Sequence, residues 1–242
     1  MIQVKVVSLQ TRTMRLVMEI LYEDNHIIAV NKAVGEIVQG DKTGDKPLSD
    51  VVKAYIKEKY NKPGEVFLGV THRIDRPTSG VVLFARTSKA LTRLNEMFKK
   101  HDEIKKTYWA IVQGRPPMQE GHLENWLLRN ERQNKSFVVK SETKDAKQAS
   151  LAYRTLVQGD RYTLLEISLK TGRHHQIRCQ LAALGCPVKG DLKYGAKRSN
   201  PDGGICLHAR SVEFVHPVSK EDVLIQASVP DEPLWKALTE NL

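Results

Sequence analysis

The sequence predicts an α+β fold with a mainly antiparallel sheet and a few flanking helices. Two observations favour this class: strand-like apolar runs outnumber helical segments, and short turns join neighbouring runs. No period of about 20 to 50 residues repeats, which argues against a solenoid or a propeller. Because no linker divides the chain, we expect residues 1–242 to form a single domain.

The strands are predicted from short runs rich in branched and aromatic residues, bounded by turn-forming clusters. In chain order they are Leu16–Tyr22, His26–Val30, Val66–Val70, Val81–Ala85, Thr107–Val112, Ser150–Val157, Tyr162–Leu169, Ile205–Phe214 and Val223–Val229. The first two flank the turn-like cluster 23–25 and predict a hairpin. The polar stretch Arg129–Gln148 has no clear periodicity, so a surface loop or an exposed hairpin is expected there.

Three helices are predicted from apolar residues at helical spacing. The first spans residues 48–60 after a loop at 40–46, and Asn61-Lys62-Pro63-Gly64 ends it. The second spans Lys89–Lys100 and is amphipathic, with Ser88 as its expected N-cap. The third is short, spans Gln176–Leu184, and ends before Gly185.

The composition is that of a globular protein, with 40% hydrophobic and 27% charged residues among 242. Three cysteines are too few for a disulfide scaffold, which favours a reducing compartment. No apolar run approaches the roughly 18 residues of a membrane span, and residues 1–20 contain no signal-peptide core. We therefore expect a cytoplasmic protein without membrane association.

The net charge of +10 favours a partner that carries phosphate groups. Much of it lies in residues 170–198, where seven basic residues oppose the single acid Asp191. A solvated basic surface is the ordinary explanation for such a run. The clustering nevertheless makes an anionic ligand a stronger expectation than the total charge does.

Several nucleotide and metal motifs are absent from the sequence. It contains neither a G-x-x-x-x-G-K-[ST] phosphate loop nor a strand-associated G-x-G-x-x-G. His122-Leu123-Glu124 matches half of a nucleobase-deaminase motif, but the cysteine half does not follow. Cys179 and Cys186 are too far apart for a zinc-binding pair, so no metal is expected, and Cys179 is predicted to be a small buried residue.

The connector 71–80 contains a charged cluster in which Asp75 lies between Arg73 and Arg76. Two neighbouring guanidinium groups favour the ionised form of the aspartate. Such a carboxylate can act as a nucleophile or a general base. From residue chemistry alone, a structural salt bridge within the loop is the commoner arrangement.

Six segments, in order along the chain, resemble the RluA family of pseudouridine synthases. The run 72–80, H-R-I-D-R-P-T-S-G, is similar to the family's H-R-L-D-x-x-T-S-G signature. The run 170–178, K-T-G-R-H-H-Q-I-R, resembles its T-G-R-x-H-Q-I-R segment. The other four are I-L-Y-E-D through V-N-K at 20–32, K-T-Y-W-A at 106–110, G-D-L-K-Y-G at 190–195 and L-H-A at 207–209. One match could be accidental, but six in order could not.

The resemblance implies a cofactor-free isomerisation of uridine to pseudouridine within rRNA or tRNA. It makes Asp75 the catalytic nucleophile, acting on the sugar C1′ or on the base. A stacked uracil must be flipped out of the RNA to be reached. Tyr108 matches the tyrosine that stacks on the flipped base, and Arg178 the arginine that pairs with the catalytic aspartate. Arg73 matches the arginine that fills the vacated space or holds its phosphate.

Two further groups of residues acquire expected roles from the resemblance. His175 and Gln176 are candidates to line the RNA channel. Four basic residues are candidates to contact flanking phosphates, namely Lys189, Lys193, Lys197 and Arg198. Their contacts would position the RNA without reading its sequence.

The sequence departs from the family pattern at two positions. Ala33 stands where the family usually has proline, which predicts a looser turn, and Gln180 replaces a common histidine. Asp75 comes too early for a preceding S4 domain, so we expect a catalytic domain alone. We expect a monomer with no obligate protein partner.

Two other functions compete with this interpretation. One is a non-catalytic RNA-binding or assembly factor on the same fold, which the presence of Asp75, Tyr108 and Arg178 argues against. The other is a hydrolase of sugar bonds using Asp75, for which the motifs provide no second carboxylate.

Overall fold

The computed structural model describes residues 5–8, 17–100 and 102–242, and it confirms the α+β class. The strands are β1 Lys5–Ser8, β2 Val17–Glu23, β3 Ile27–Lys32, β4 Gly69–Val70, β5 Ser79–Ala85, β6 Ile104–Gln113, β7 Glu120–Asn130, β8 Lys135–Val139, β9 Lys147–Gln158, β10 Tyr162–Leu169, β11 Leu207–Val215 and β12 Asp222–Gln226. The helices are α1 Leu48–Lys59, α2 Ser88–Lys100, α3 Gln176–Ala183 and α4 Pro233–Thr239. The chain divides into two compact units: unit 1 is Met1–Ile104 with Arg210–Ser228, and unit 2 is Lys105–Ala209 with Val229–Leu242. The expectation of a single catalytic domain stays a prediction.

Unit 1 is built around strands β3 and β5, which are paired antiparallel from Ile27 opposite Ala85 to Lys32 opposite Gly80. Every residue of β5 is buried, and Ile27, Ile28, Ala29 and Val30 of β3 are fully buried. A strand covered on both faces favours a continuous apolar run over an alternating one, as both sequences show. Strands β1 and β2 extend the pairing beyond β3, and the predicted β2–β3 hairpin is confirmed, although Leu16 lies outside the described residues.

Helix α2 packs its apolar residues Ala90, Leu94 and Met97 into the core of unit 1. Its N-cap is Thr87, whose hydroxyl accepts the Ala90 N–H at 3.3 Å. The expectation of Ser88 as N-cap is wrong by one residue. Both residues have a capping hydroxyl, and the sequence alone does not separate neighbouring candidates.

Glu23 fastens the end of α1 to the β2–β3 hairpin. Its carboxylate accepts hydrogen bonds from Tyr55 at 2.9 Å, Tyr60 at 2.9 Å, Lys59 at 2.5 Å and Arg86 at 3.2 Å. Burial alone would raise the pKa of Glu23, but the hydrogen bonds from Lys59, Tyr60 and Tyr55 outweigh it and lower that pKa. The carboxylate is therefore held in its ionised form.

Unit 2 contains an antiparallel sheet in the order β6-β10-β9-β7-β8. One core cluster combines Ala110 and Leu165 of the sheet with Ile177 and Leu181 of α3. A second combines Ile111 and Leu164 with Trp235 and Leu238 of α4. Neighbouring strand residues thus contribute to different clusters, so the middle of this sheet is also buried on both faces.

The observed elements differ from the sequence expectation at several points. The predicted strand Val66–Val70 shortens to β4, and Arg129–Gln148 is an exposed hairpin built on β8. Strands β1 and β7 and helix α4 were not predicted. Helix α4 has only seven residues, too few to show a periodicity, although Pro233 at its first position is a start signal.

No helix among the described ranges combines the length and the apolar character needed to cross a membrane. All three cysteines are free thiols in buried positions, and Cys179 is the small buried residue that the sequence predicts.

We predict that Glu23→Gln destabilises the protein by about 2 kcal/mol near neutral pH. Because the folded-state pKa of Glu23 lies below its ordinary value of 4.5, the contribution is complete above that value and is lost as the pH falls through the folded pKa. Urea denaturation of both proteins at about pH 7 and about pH 3 measures this. Glu65→Gln, at an exposed position, is the control. A stability difference that stays the same at both pH values contradicts the assignment.

Candidate active site

The segment that leads to Asp75 is fixed to strand β5. The Thr71 hydroxyl donates to the Leu83 carbonyl at 2.6 Å, and the Leu83 N–H donates to His72 Nε2 at 3.0 Å. The His72 ring also stacks on Phe98, with 4.7 Å between ring centroids. Two side chains therefore attach the start of the connector to one residue of a fully buried strand.

A tight turn then places Asp75 at the surface of unit 1. The Thr78 N–H donates to the Asp75 carbonyl at 3.0 Å, with Pro77 inside the turn. Gly80 leaves the turn with a φ of +114°, which a side-chain-bearing residue rarely adopts. Asp75 is half-buried, while Arg73 is exposed. A half-buried carboxylate beside an exposed arginine is accessible to a substrate.

Lys32, the last residue of β3, is a buried cation bonded to the Asp75 loop, and it is 0% exposed. Its ammonium group donates to three carbonyls: Ala33 at 2.8 Å, Glu36 at 2.9 Å and Arg76 at 3.1 Å. Burial lowers the pKa of Lys32 to about 8, although the charges of Glu36 and Asp75 oppose the shift. The group is thus mostly protonated at neutral pH and holds the backbone one residue beyond Asp75.

The turn after Lys32 is closed despite the missing proline. The Ala33 N–H donates to the Glu36 carboxylate at 2.8 Å, a bond that a proline could not make. The expected loosening at Ala33 is therefore not seen. Gln180, the other departure, is buried and its amide donates to Leu123 O at 3.0 Å and Asn125 Oδ1 at 2.8 Å, which fixes α3 to β7.

In unit 2, Arg178 forms a buried ion pair with Asp191. Nε donates to Oδ2 at 2.6 Å and Nη2 to Oδ1 at 2.9 Å, and both side chains are at most 5% exposed. The guanidinium also lies 5.1 Å from the centre of the Tyr194 ring. Fork-like pairing orients a guanidinium rigidly, so Asp191 sets the direction of Arg178.

His175 precedes α3 in a left-handed conformation with φ 51°. Its Nδ1 lies 3.1 Å from the Tyr194 hydroxyl, and its ring stacks on His174 at 3.8 Å. Burial, followed by the charge of Arg178, lowers the pKa of His175 to about 2, which keeps the ring neutral. His175 and Gln176 are both buried, which disfavours the expected role of lining an RNA channel.

The four predicted site residues divide between the two units. Asp75 and Arg73 lie in unit 1, and Tyr108 and Arg178 in unit 2. Tyr108 is on β6 opposite Ile167, half-buried against the core. The pairing of Arg178 with Asp75 stays a prediction.

The basic stretch 170–198 is not one continuous exposed surface. Arg178 is buried, and the half-buried Lys189 donates to Asn200 Oδ1 at 2.5 Å. Lys193, Lys197 and Arg198 are exposed, which suits the expected phosphate contacts. Only part of the positive charge in this stretch is available to RNA.

Sequence reasoning missed the roles of Lys32 and Asp191. Lys32 follows the polar Asn31 after the apolar run of β3, so the sequence does not mark it as a buried residue. Asp191 is the only acid among seven bases in its stretch, which marks it. Among the described residues, no group of three His, Cys, Asp or Glu side chains is placed to hold a metal.

Comparison with known proteins decides the family. Residues 26–183 match the sequence model described as RNA pseudouridylate synthase. The chain belongs to this family. The match includes the Asp75 connector, Tyr108 and Arg178, and it ends with α3.

Two curated members of the RNA pseudouridylate synthase family illustrate the similarity. The tRNA pseudouridine synthase C of Vibrio parahaemolyticus is 33% identical over 91% of this chain and 93% of its own. The ribosomal large subunit pseudouridine synthase D of Xanthomonas campestris is 33% identical over 99% of this chain and 76% of its own. Among solved structures, human RNA Pseudouridylate Synthase Domain Containing 4 shares the fold, with a TM-score of 0.73, 24% identity and 88% coverage of both chains.

We predict that Lys32→Met destabilises the protein by about 3 kcal/mol, because three carbonyls lose their buried donor. We also expect kcat to fall by about ten- to a hundredfold, since the loop that carries Asp75 loses a fixed point. Urea denaturation and rates of pseudouridine formation measure the two effects. Lys62→Met, at an exposed position, is the control. Wild-type stability in Lys32→Met contradicts the assigned role.

Proposed function

We propose that this chain converts uridine to pseudouridine within RNA with Asp75 as nucleophile, and that Arg73, Tyr108 and Arg178 bind the substrate. The observation that carries this assignment is the fixed loop around Asp75. Its backbone is held by Lys32, by the turn to Thr78 and by the contacts of His72 and Thr71 with β5. A nucleophile benefits from such rigidity, because placement of the reacting group contributes strongly to the rate.

The reaction is an isomerisation in which atoms balance without a co-reactant. The N1–C1′ bond breaks, the uracil turns, and a C5–C1′ bond forms; C5 loses its proton and N1 gains one. The carboxylate of Asp75 either stabilises the electron-poor C1′, as carboxylates do in glycosidases, or adds to the base. Both alternatives need the carboxylate form of Asp75.

The binding residues have chemically distinct roles in this proposal. The half-buried ring of Tyr108 provides a face on which a flipped base can stack. Arg73 is exposed and suited to the space that the flipped nucleotide leaves, or to its phosphate. Arg178, rigidly oriented by Asp191, supplies a directed cation for the nucleophile or the substrate.

The RNA target that we propose is tRNA. The relative named tRNA pseudouridine synthase C is similar over nearly its whole length, so its substrate is a reasonable transfer to this chain. rRNA is the second candidate, because the equally identical Xanthomonas campestris relative is named for the large ribosomal subunit. The proposal also includes action as a cytoplasmic monomer without an obligate protein partner.

We predict that Asp75→Asn loses pseudouridine formation by about a thousandfold or more, because the amide is not a nucleophile at C1′ or on the base. Release of tritium from RNA labelled at uracil C5 measures the loss. RNA affinity should remain. The control is Asp102→Asn, the same substitution at an exposed position, which should keep full activity. Substantial activity in Asp75→Asn eliminates the mechanism. Wild-type protein that binds RNA but never releases tritium supports the non-catalytic factor instead.

We further predict that deletion of the protein removes pseudouridine from one or more tRNA positions and leaves rRNA unchanged. Mapping of pseudouridines in total RNA, with and without the protein, tests this. Restoring the chain should restore the positions, while restoring Asp75→Asn should not. Loss confined to rRNA would overturn tRNA as the target without affecting the reaction type.

A further inference from the structure

Arg76, the residue after Asp75, is engaged by an acid from another loop of unit 1. Its Nη1 lies 2.7 Å from Asp45 Oδ2, and the two side chains are 48% and 50% exposed. Asp45 belongs to the segment Gly40–Lys46, in which every residue is exposed. A charged contact is thus present at the surface, immediately beside the nucleophile.

The two ends of this ion pair are anchored very differently. The Arg76 carbonyl accepts both the Lys32 ammonium at 3.1 Å and the Gly35 N–H at 3.0 Å, so its backbone is fixed. The other side-chain hydrogen bonds of the Asp45 loop are short-range: Thr43 donates to the Asp41 carboxylate, and the Asp45 N–H donates to the Thr43 hydroxyl. The backbone that carries the Arg76 guanidinium is therefore fixed, whereas Asp45 lies on a segment with few hydrogen bonds.

We propose that Arg76 binds a backbone phosphate of the RNA beside the target uridine, and that Asp45 occupies this position in the free protein. The inference rests on the proposed function, since it places the phosphate next to the nucleotide on which Asp75 acts. A guanidinium pairs with phosphate in the same two-pronged geometry as with carboxylate. Asp45 therefore acts as an internal competitor that RNA must displace.

An exposed pair is suited to such exchange because it contributes little and is broken at little cost. A phosphate replaces Asp45 when the rest of the RNA substrate holds that phosphate next to Arg76. A phosphate that is loosely held replaces Asp45 less readily. The Thr43 hydrogen bonds, and after them the charge of Arg76, lower the pKa of Asp41, so Asp41 also lies near Arg76.

Because Asp45 competes with phosphate for Arg76, removing Asp45 should strengthen RNA binding generally. It should also reduce discrimination between substrate and non-substrate RNA.

The test is a double-mutant cycle on RNA affinity with Asp45→Asn, Arg76→Gln and the double variant. Asp45→Asn should bind substrate RNA about two- to fivefold tighter, with KM lowered by the same factor and kcat unchanged. Arg76→Gln should bind more weakly and reduce the slope of log affinity against log salt by about 0.7 to 0.9. In the Arg76→Gln background, Asp45→Asn should have no further effect beyond that of the control.

Asp50→Asn is the matched control, because Asp50 is 51% exposed and pairs with Lys53 at 3.9 Å in the same unit. It removes an equal charge without releasing Arg76. If Asp45→Asn tightens binding no more than Asp50→Asn, or weakens it, Asp45 is not a competitor and the proposal is overturned. A full Asp45→Asn effect in the absence of Arg76 overturns it as well. The RNA affinities are measured with variants that also contain Asp75→Asn. Failure of the proposed reaction is detected in a separate experiment, as the absence of tritium release by the wild-type protein.

Discussion

The burial of the Lys32 ammonium is the constraint on which the candidate active site depends. A charge removed from water is costly unless polar groups surround it. Here three carbonyls supply that environment, and one of them belongs to Arg76, 44 positions along the chain. Because the charge cannot be left unsolvated, the backbone at Arg76 cannot move away without a large loss of stability. The same interaction that stabilises unit 1 therefore fixes the position of the neighbouring Asp75.

The positive charge of the chain has two distinct uses. Lys32 and Arg178 are buried and bonded to carbonyls and to Asp191 respectively, so they contribute little to the field outside the protein. Arg73, Lys193, Lys197 and Arg198 are exposed, although the Lys193 ammonium also donates to the Asn134 carbonyl at 3.1 Å. The net charge of +10 consequently overstates the RNA-binding surface, and the position of each cation matters more than the sum.

Local pattern was sufficient for much of the fold, and a motif was sufficient to propose Asp75 as the nucleophile. The apolar runs of β3 and β5 and the helical spacing of α2 follow directly from their residues, and Asp75 follows from its nine-residue motif. Long-range partners could not be obtained in this way. Nothing near Lys32 in the sequence indicates that its ammonium group will donate a hydrogen bond to a carbonyl of the Asp75 loop. Helix α4 was not predicted for another reason: its two buried residues, Trp235 and Leu238, are too few to define a helical period.

Strand β5 links the stability of unit 1 to the rigidity of the connector that carries Asp75. Its residues are all buried, so we expect its amide hydrogens to exchange with solvent slowly. Thr71 and His72 are bonded to the backbone of Leu83 in the middle of this strand. The connector that carries Asp75 is a loop by conformation, yet its first two side chains are bonded to a fully buried strand. A loop attached in this way keeps its shape between encounters with substrate and does not need to be ordered anew each time.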